Sequence, residues 1–112
     1  MKLWNVLTAA ALTVASLVPF APSAAASEEC GSGYYCIRLP YGHEVRLYYI
    51  PKDYVSGQDT FDKWVWLDRS SDGGRTWKQM GGGAGNTASY KHENYKWRAC
   101  INDGGFKCTG WH

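Results

Sequence analysis

Eight consecutive residues, Ser70-Ser71-Asp72-Gly73-Gly74-Arg75-Thr76-Trp77, constrain this chain more than any others. A hydroxyl at Ser70 and a carboxylate at Asp72 are placed to accept backbone N–H groups across a tight reversal. Gly74 supplies a position that takes a left-handed backbone at little steric cost. Thr76 then restarts an extended chain, and Trp77 is expected to swing under the turn and bury its ring against the incoming strand. The segment closes a β-hairpin with its own side chains, which commits its neighbourhood to antiparallel pairing.

The flanking residues carry the matching period. Glu44–Ile50 alternates Val45, Leu47 and Tyr49 against Glu44, Arg46 and Tyr48, and Tyr95–Ile101 alternates Tyr95, Trp97, Ala99 and Ile101 against Lys96, Arg98 and Cys100. Both patterns predict half-buried antiparallel strands. Phe61–Asp68 sets Trp64 and Trp66 on one face and Val65 and Leu67 on the other, which predicts a strand covered on both sides. The Ser70 turn sends that strand back into Thr76–Met80. Pro40–His43, Pro51–Gly57, Gly81–Gly85 and Asp103–Gly105 have the composition of turns or loops. The expected fold is all-β, a small antiparallel sandwich or partly open barrel of about six or seven strands with two disulfides.

Residues 1–26 read as a secretory leader, with Lys2 as the basic end, an apolar stretch over Val6–Val18 and small residues at Ala24-Ala25-Ala26. Residues 27–112 are then a single secreted, extracellular domain, expected to be monomeric and without a membrane span. A domain this small leaves much of its surface unburied, and disulfides commonly supplement its core. Cys30, Cys36, Cys100 and Cys108 all lie in it, and an even count in an exported chain predicts two bridges. Three pairings are open on sequence; the local pairs Cys30–Cys36 and Cys100–Cys108 are preferred, because the second would face its sulfurs across a hairpin tipped by Asp103-Gly104-Gly105. Neither pair has C-x-x-C spacing, so zinc is disfavoured and no metal or cofactor is expected. Removing Lys2 with the leader leaves 11 Lys and Arg against 10 Asp and Glu, with no long run of either sign. That balance argues against a nucleic-acid or anionic-membrane partner and leaves an extracellular glycan or protein.

The pattern S-x-D-x-G-x-T-W at Ser70, Asp72, Gly74, Thr76 and Trp77 resembles the Asp-box, the repeated hairpin of sialidase-type propellers. The resemblance implies the turn without the enzyme, since a sialidase also requires strand-borne arginines, a tyrosine nucleophile and acidic partners over a whole propeller. No internal repeat is present to build one. Similar hairpins occur in small microbial ribonucleases, where the residue after the Asp is the catalytic histidine; here it is Gly73. His43 beside Glu44 and His92 beside Glu93 remain as acid–base candidates, but neighbours on a strand point to opposite faces, so a ribonuclease is a remote alternative. Asp68-x-Ser70-x-Asp72-Gly73 resembles the first half of an EF-hand loop, with Gln79 at the position that wants a bidentate glutamate and no flanking helix. No nucleophile motif is visible, and oxidised cysteines offer no thiolate; no catalytic residue is assigned. Val65–Trp77, together with Trp97-Arg98-Ala99-Cys100 and Cys108-Thr109-Gly110-Trp111, resembles a small module of actinobacterial secreted proteins that occurs alone and appended to carbohydrate-active enzymes. That resemblance implies an extracellular β domain without established catalysis.

Aromatic residues are the remaining signal. Trp64, Trp66, Trp77, Trp97, Trp111, Phe61, Phe106 and all eight tyrosines follow the leader, and most are needed as core. Tyr34, Tyr35, Tyr41, Tyr48, Tyr54 and Trp111 fall at turns, near the ends or on outward faces, and are the candidate binding residues. Rigid exposed rings stack on sugar faces or anchor in a protein partner. Two functions follow as expectations. One is a noncatalytic binding module for a glycan or cell-wall polymer. The other is a disulfide-braced inhibitor of a protease or other hydrolase, presenting the Cys100–Cys108 loop with Lys107 as its primary contact.

Overall fold

The computed structural model describes residues 28–49 and 53–112. The expected leader, Ile50 and the first residues of the Pro51–Gly57 turn lie outside the described residues. Nine strands follow in order: β1 (Glu28–Gly31), β2 (Tyr34–Leu39), β3 (His43–Tyr48), β4 (Tyr54–Asp59), β5 (Trp64–Ser70), β6 (Lys78–Ala84), β7 (Tyr90–Lys91), β8 (Lys96–Asn102) and β9 (Phe106–Cys108). They form two antiparallel sheets, ordered β1-β2-β3-β4-β7 and β6-β5-β8-β9. The fold is all-β, as expected. The strand number exceeds the expectation because β1, β7 and β9 span only four, two and three residues, too few to display a period.

Alternation builds the core. Ile37, Val45, Leu47 and Val55 from the first sheet meet Val65, Leu67, Trp97, Ala99 and Ile101 from the second. The sheets are tied together by backbone hydrogen bonds at one side: Asp59 N–H donates to Gly85 O at 2.9 Å and Thr87 N–H to Gly57 O at 3.0 Å. Beyond β9 the chain continues along β8, where Trp97 and His112 exchange N–H···O bonds of 2.8 and 2.9 Å. Both local disulfides are present. Cys100 and Cys108 are direct register partners across the β8–β9 hairpin.

Four local expectations are corrected. Gly81–Gly85 is not a loop: Gly81, Gly82 and Gly83 are paired within β6. A Cβ on Gly81 would strike the Tyr90 hydroxyl on the core side, and one on Gly82 would lie 2.8 Å from Trp64 Nε1 on the outer side. These glycines admit rings to both faces of a strand. Likewise Tyr54–Gly57 belongs to β4, with Gly57 close enough to Leu67 and Ala99 that an added Cβ would lie 3.3 Å from each.

The third correction concerns β5, which begins at Trp64 because Asp62 takes a positive φ of 62° just before it. The strand is not covered on both sides along its first half: Val65 and Leu67 are buried, whereas on the other face Trp66 is half-buried and Trp64 is 58% exposed. Finally, Trp77 is 53% exposed, not buried under its turn. Its ring lies 6.0 Å from that of Trp111.

Gly82→Ala is the sharpest test of the glycine strand. Alanine stiffens the unfolded chain, which by itself stabilises by up to about 1 kcal/mol. The new methyl would sit 2.6 Å from the Val65 carbonyl oxygen, which is backbone in the adjacent strand and cannot swing aside. The clash is expected to dominate, with a net loss of about 1–3 kcal/mol in equilibrium denaturation. A neutral or stabilising result would contradict the close approach.

Candidate functional site

The Ser70–Thr76 turn is built as its letters require. Ser70 Oγ accepts the N–H groups of Gly74 at 2.8 Å and Asp72 at 3.2 Å, and donates its own proton to Asp72 Oδ1 at 2.8 Å. Asp72 accepts the Thr76 N–H at 2.9 Å and the Thr76 hydroxyl at 2.7 Å. Gly73 and Gly74 both take positive φ, 77° and 101°. The Asp72 carboxyl is held down from 3.8 to about 2, chiefly by the Thr76 N–H and then by the Thr76 and Ser70 hydroxyls. These oxygens are engaged in closing the turn.

The closed turn supports two indoles. A Cβ on Gly74 would lie 2.5 Å from Trp111 Nε1, so the indole of the C-terminal segment rests directly on the turn. Trp77 stands beside it. Arg98 of β8 lies over both, its guanidinium carbon 4.5 Å from the centroid of each ring. Arg98 Nε donates to Asp68 Oδ2 at 2.9 Å, and Asp68 is its register partner on β5. Asp68 is 2% exposed, and a buried carboxylate requires such a partner.

The same outer face continues along β5. Asp68, Trp66 and Trp64 follow at every second residue and therefore share it, over roughly 13 Å of strand. Phe106 of β9, 74% exposed, meets Trp66 edge-on at a centroid distance of 5.7 Å. Trp64 lies across the side-chain-free surface of Gly82. The outcome is one row of rings, with Trp64, Trp66 and Phe106 at one end and Trp77, Arg98 and Trp111 at the other.

Of the candidate binding residues, only Trp111 belongs to this row. Tyr34 and Tyr48 pack together on the outer face of the first sheet, with ring centroids 4.9 Å apart and planes tilted by 39°. Arg46 lies 4.6 Å over Tyr34 and donates to the Tyr48 hydroxyl at 2.9 Å, and that hydroxyl bonds Gln58 at 3.0 Å. Tyr35 points between the sheets and stacks on His112 at 3.6 Å. Tyr41 is 95% exposed at the β2–β3 turn, where its φ is 65°. Tyr54 opens β4 opposite Lys91. The six residues do not form one platform. Lys107 pairs with Ile101 inside β9 and is half-buried, while the hairpin tip is Asp103–Gly105.

Trp64, Trp66, Trp77, Phe106 and Arg98 are not among the residues that the sequence singles out for binding. A signal for the first two is present: aliphatic Val65 and Leu67 alternate with them, and antiparallel sheets commonly keep one wet face.

Other chemistry is structural. His43 and Glu44 do diverge, and His43 Nε2 instead bonds Asp59 Oδ1 at 2.5 Å, buried beneath Phe61, whose ring stacks on the imidazole at 4.3 Å. Asp59 Oδ2 also accepts the N–H groups of Phe61 and Lys63, so this pair clamps the β4–β5 connection. His92 Nδ1 bonds the Glu93 carbonyl rather than its carboxylate. A cavity of about 230 Å³ opens between the sheets beside His92 and His112. Burial, followed by the charge of Lys96, lowers the His112 pKa. Asp68, Cys100 and Cys108 cluster tightly, but both sulfurs are bridged and offer no thiolate ligand. No protein-family model, curated protein or solved structure matches this chain.

The turn generates a pH prediction. Because the folded Asp72 carboxyl titrates below its unfolded value, its stabilisation is present above about pH 3.8 and is lost as pH falls toward about 2. Thermal unfolding of wild type and Asp72→Asn should therefore differ near neutral pH, with wild type the more stable, and converge on acidification. A difference that stays constant down to about pH 2 would show that the carboxylate charge does not hold the turn.

Proposed function

We propose that this protein is a secreted, noncatalytic binding module for a glycan or cell-wall polymer, and that the outer face of the β6-β5-β8-β9 sheet is its platform. The observation that carries this reading is the row of rings on that face. Solvent-exposed aromatic clusters mark interaction sites, and flat rigid rings suit the apolar faces of sugars while losing little conformational freedom on contact. The disulfide across the hairpin that carries Phe106 and the glycine strand beneath Trp64 restrain the rings before any ligand arrives, which lowers the entropic cost of binding. Two disulfides are compatible with an extracellular setting.

The test is retention of the folded secreted domain on insoluble chitin, cellulose and peptidoglycan, followed by affinity measurement on whichever polymer retains it. Trp64→Ala and Phe106→Ala remove mostly exposed rings, so each should lower affinity by about 10-fold or more with little change in melting temperature. Tyr41→Ala, on the other sheet, should bind as wild type. Passage through every polymer unretarded would remove the reading. Stoichiometric inhibition of a trypsin-like, papain-like or glycosidase panel in that case would favour the inhibitor alternative.

A further inference from the structure

We infer that the aromatic row ends in a carboxylate subsite at Arg98, so that its ligand is an acidic glycan carrying carboxylate-bearing sugars. This rests on the proposed glycan-binding function and narrows it. Nε of Arg98 is committed to Asp68, but neither terminal nitrogen makes a hydrogen bond within the described residues. No buried polar side-chain atom among those residues lacks a partner. The terminal nitrogens of this half-buried side chain therefore reach solvent; its relative exposure is 20%.

The guanidinium is also held in place. Trp77 and Trp111, each with its ring centroid 4.5 Å from the guanidinium carbon, and the bond to Asp68 hold it, and the edge formed by its two terminal nitrogens has no protein partner among the described residues. A planar fork with two unpaired N–H groups on one edge matches the two oxygens of a carboxylate, and such bidentate bonds are among the strongest polar contacts in water. Rings of a chain lying on Trp64, Trp66 and Phe106 run toward that edge along β5.

Charge at this end agrees. Lys96, opposite Ser70 in register and two residues before Arg98 on β8, and Arg75 in the turn accompany Arg98. The acidic groups there are already engaged, Asp68 by Arg98 and Asp72 by Ser70 and Thr76. A neutral glycan has no group that uses the fork's charge.

The test measures binding of the folded secreted domain to polygalacturonate, alginate and hyaluronan, each before and after chemical reduction of its carboxyl groups to alcohols. Cellulose and chitin are the neutral polymers, and polyglutamate is an acidic polymer without sugar rings. Reduction leaves the protein untouched and the sugar rings in place. The expected result is that at least one acidic glycan binds, and that its reduced form binds about 10-fold or more weakly. Polyglutamate should bind no better than the reduced form.

Arg98→Lys keeps the charge but loses the planar fork, and should produce a comparable loss, with thermal unfolding confirming a folded variant. Equal binding of the acidic and reduced forms overturns the subsite while leaving the glycan reading intact, as does retention on neutral polymers alone. Binding of polyglutamate as tightly as the acidic glycan also overturns it, in favour of simple ion exchange. Retention on no glycan at all removes the reading beneath it.

Discussion

In the ladder between β5 and β8, Val65 opposes Ile101 and Leu67 opposes Ala99 toward the core, while Trp66 opposes Cys100 and Asp68 opposes Arg98 toward the outside. One set of backbone hydrogen bonds thus positions both the largest part of the hydrophobic interior and the proposed binding face. The outer pair is consequential because Asp68 is buried. Its charge is tolerable only beside a cation, and a buried pair of this kind contributes position more than stability. Once Arg98 is drawn to Asp68, its guanidinium lies over the rings of both Trp77 and Trp111, and the end of the aromatic row is defined.

The remaining parts of that face are held by features that look unrelated along the chain. The Asp-box-like turn carries Trp77 out of its last residue and offers Gly74 as a bare seat for Trp111. The glycine strand does the same for Trp64. The Cys100–Cys108 bridge braces the hairpin from which Phe106 projects. Each device replaces side-chain bulk or chain freedom with a fixed ring, and a small domain with a limited core benefits from bracing of this kind.

The first sheet uses its aromatic residues differently. Tyr34, Tyr48, Arg46 and Gln58 satisfy one another's hydrogen-bonding and stacking capacity. Phe61 lies over the buried His43–Asp59 pair. These groups are occupied with internal partners, whereas the rings of the second sheet stand on glycine, on a disulfide-linked hairpin or on a guanidinium with one edge in solvent. The contrast is why the second sheet, not the tyrosine-rich first, is the better platform.

What was legible in the residues was local chemistry. Ser70, Asp72 and Gly74 specify their turn because every partner lies within four positions, and Cys100 meets Cys108 because a short hairpin leaves few alternatives. Period-two alternation correctly buried Val45, Leu47, Trp97, Ala99 and Ile101, and it correctly put Trp64 with Trp66. It could not say which face of β5 would be wet, because that depends on the first sheet, whose Val45, Leu47 and Val55 cover only the Val65 and Leu67 side. The glycine run read as a loop because its purpose, admitting Tyr90 and Trp64, belongs to residues distant in sequence or on the facing strand. Hydrogen bonds and alternation act between near neighbours and so are written in order along the chain; the gathering of Trp64, Phe106, Trp77, Arg98 and Trp111 onto one surface arises from strand register between distant segments, which only the tertiary fold decides.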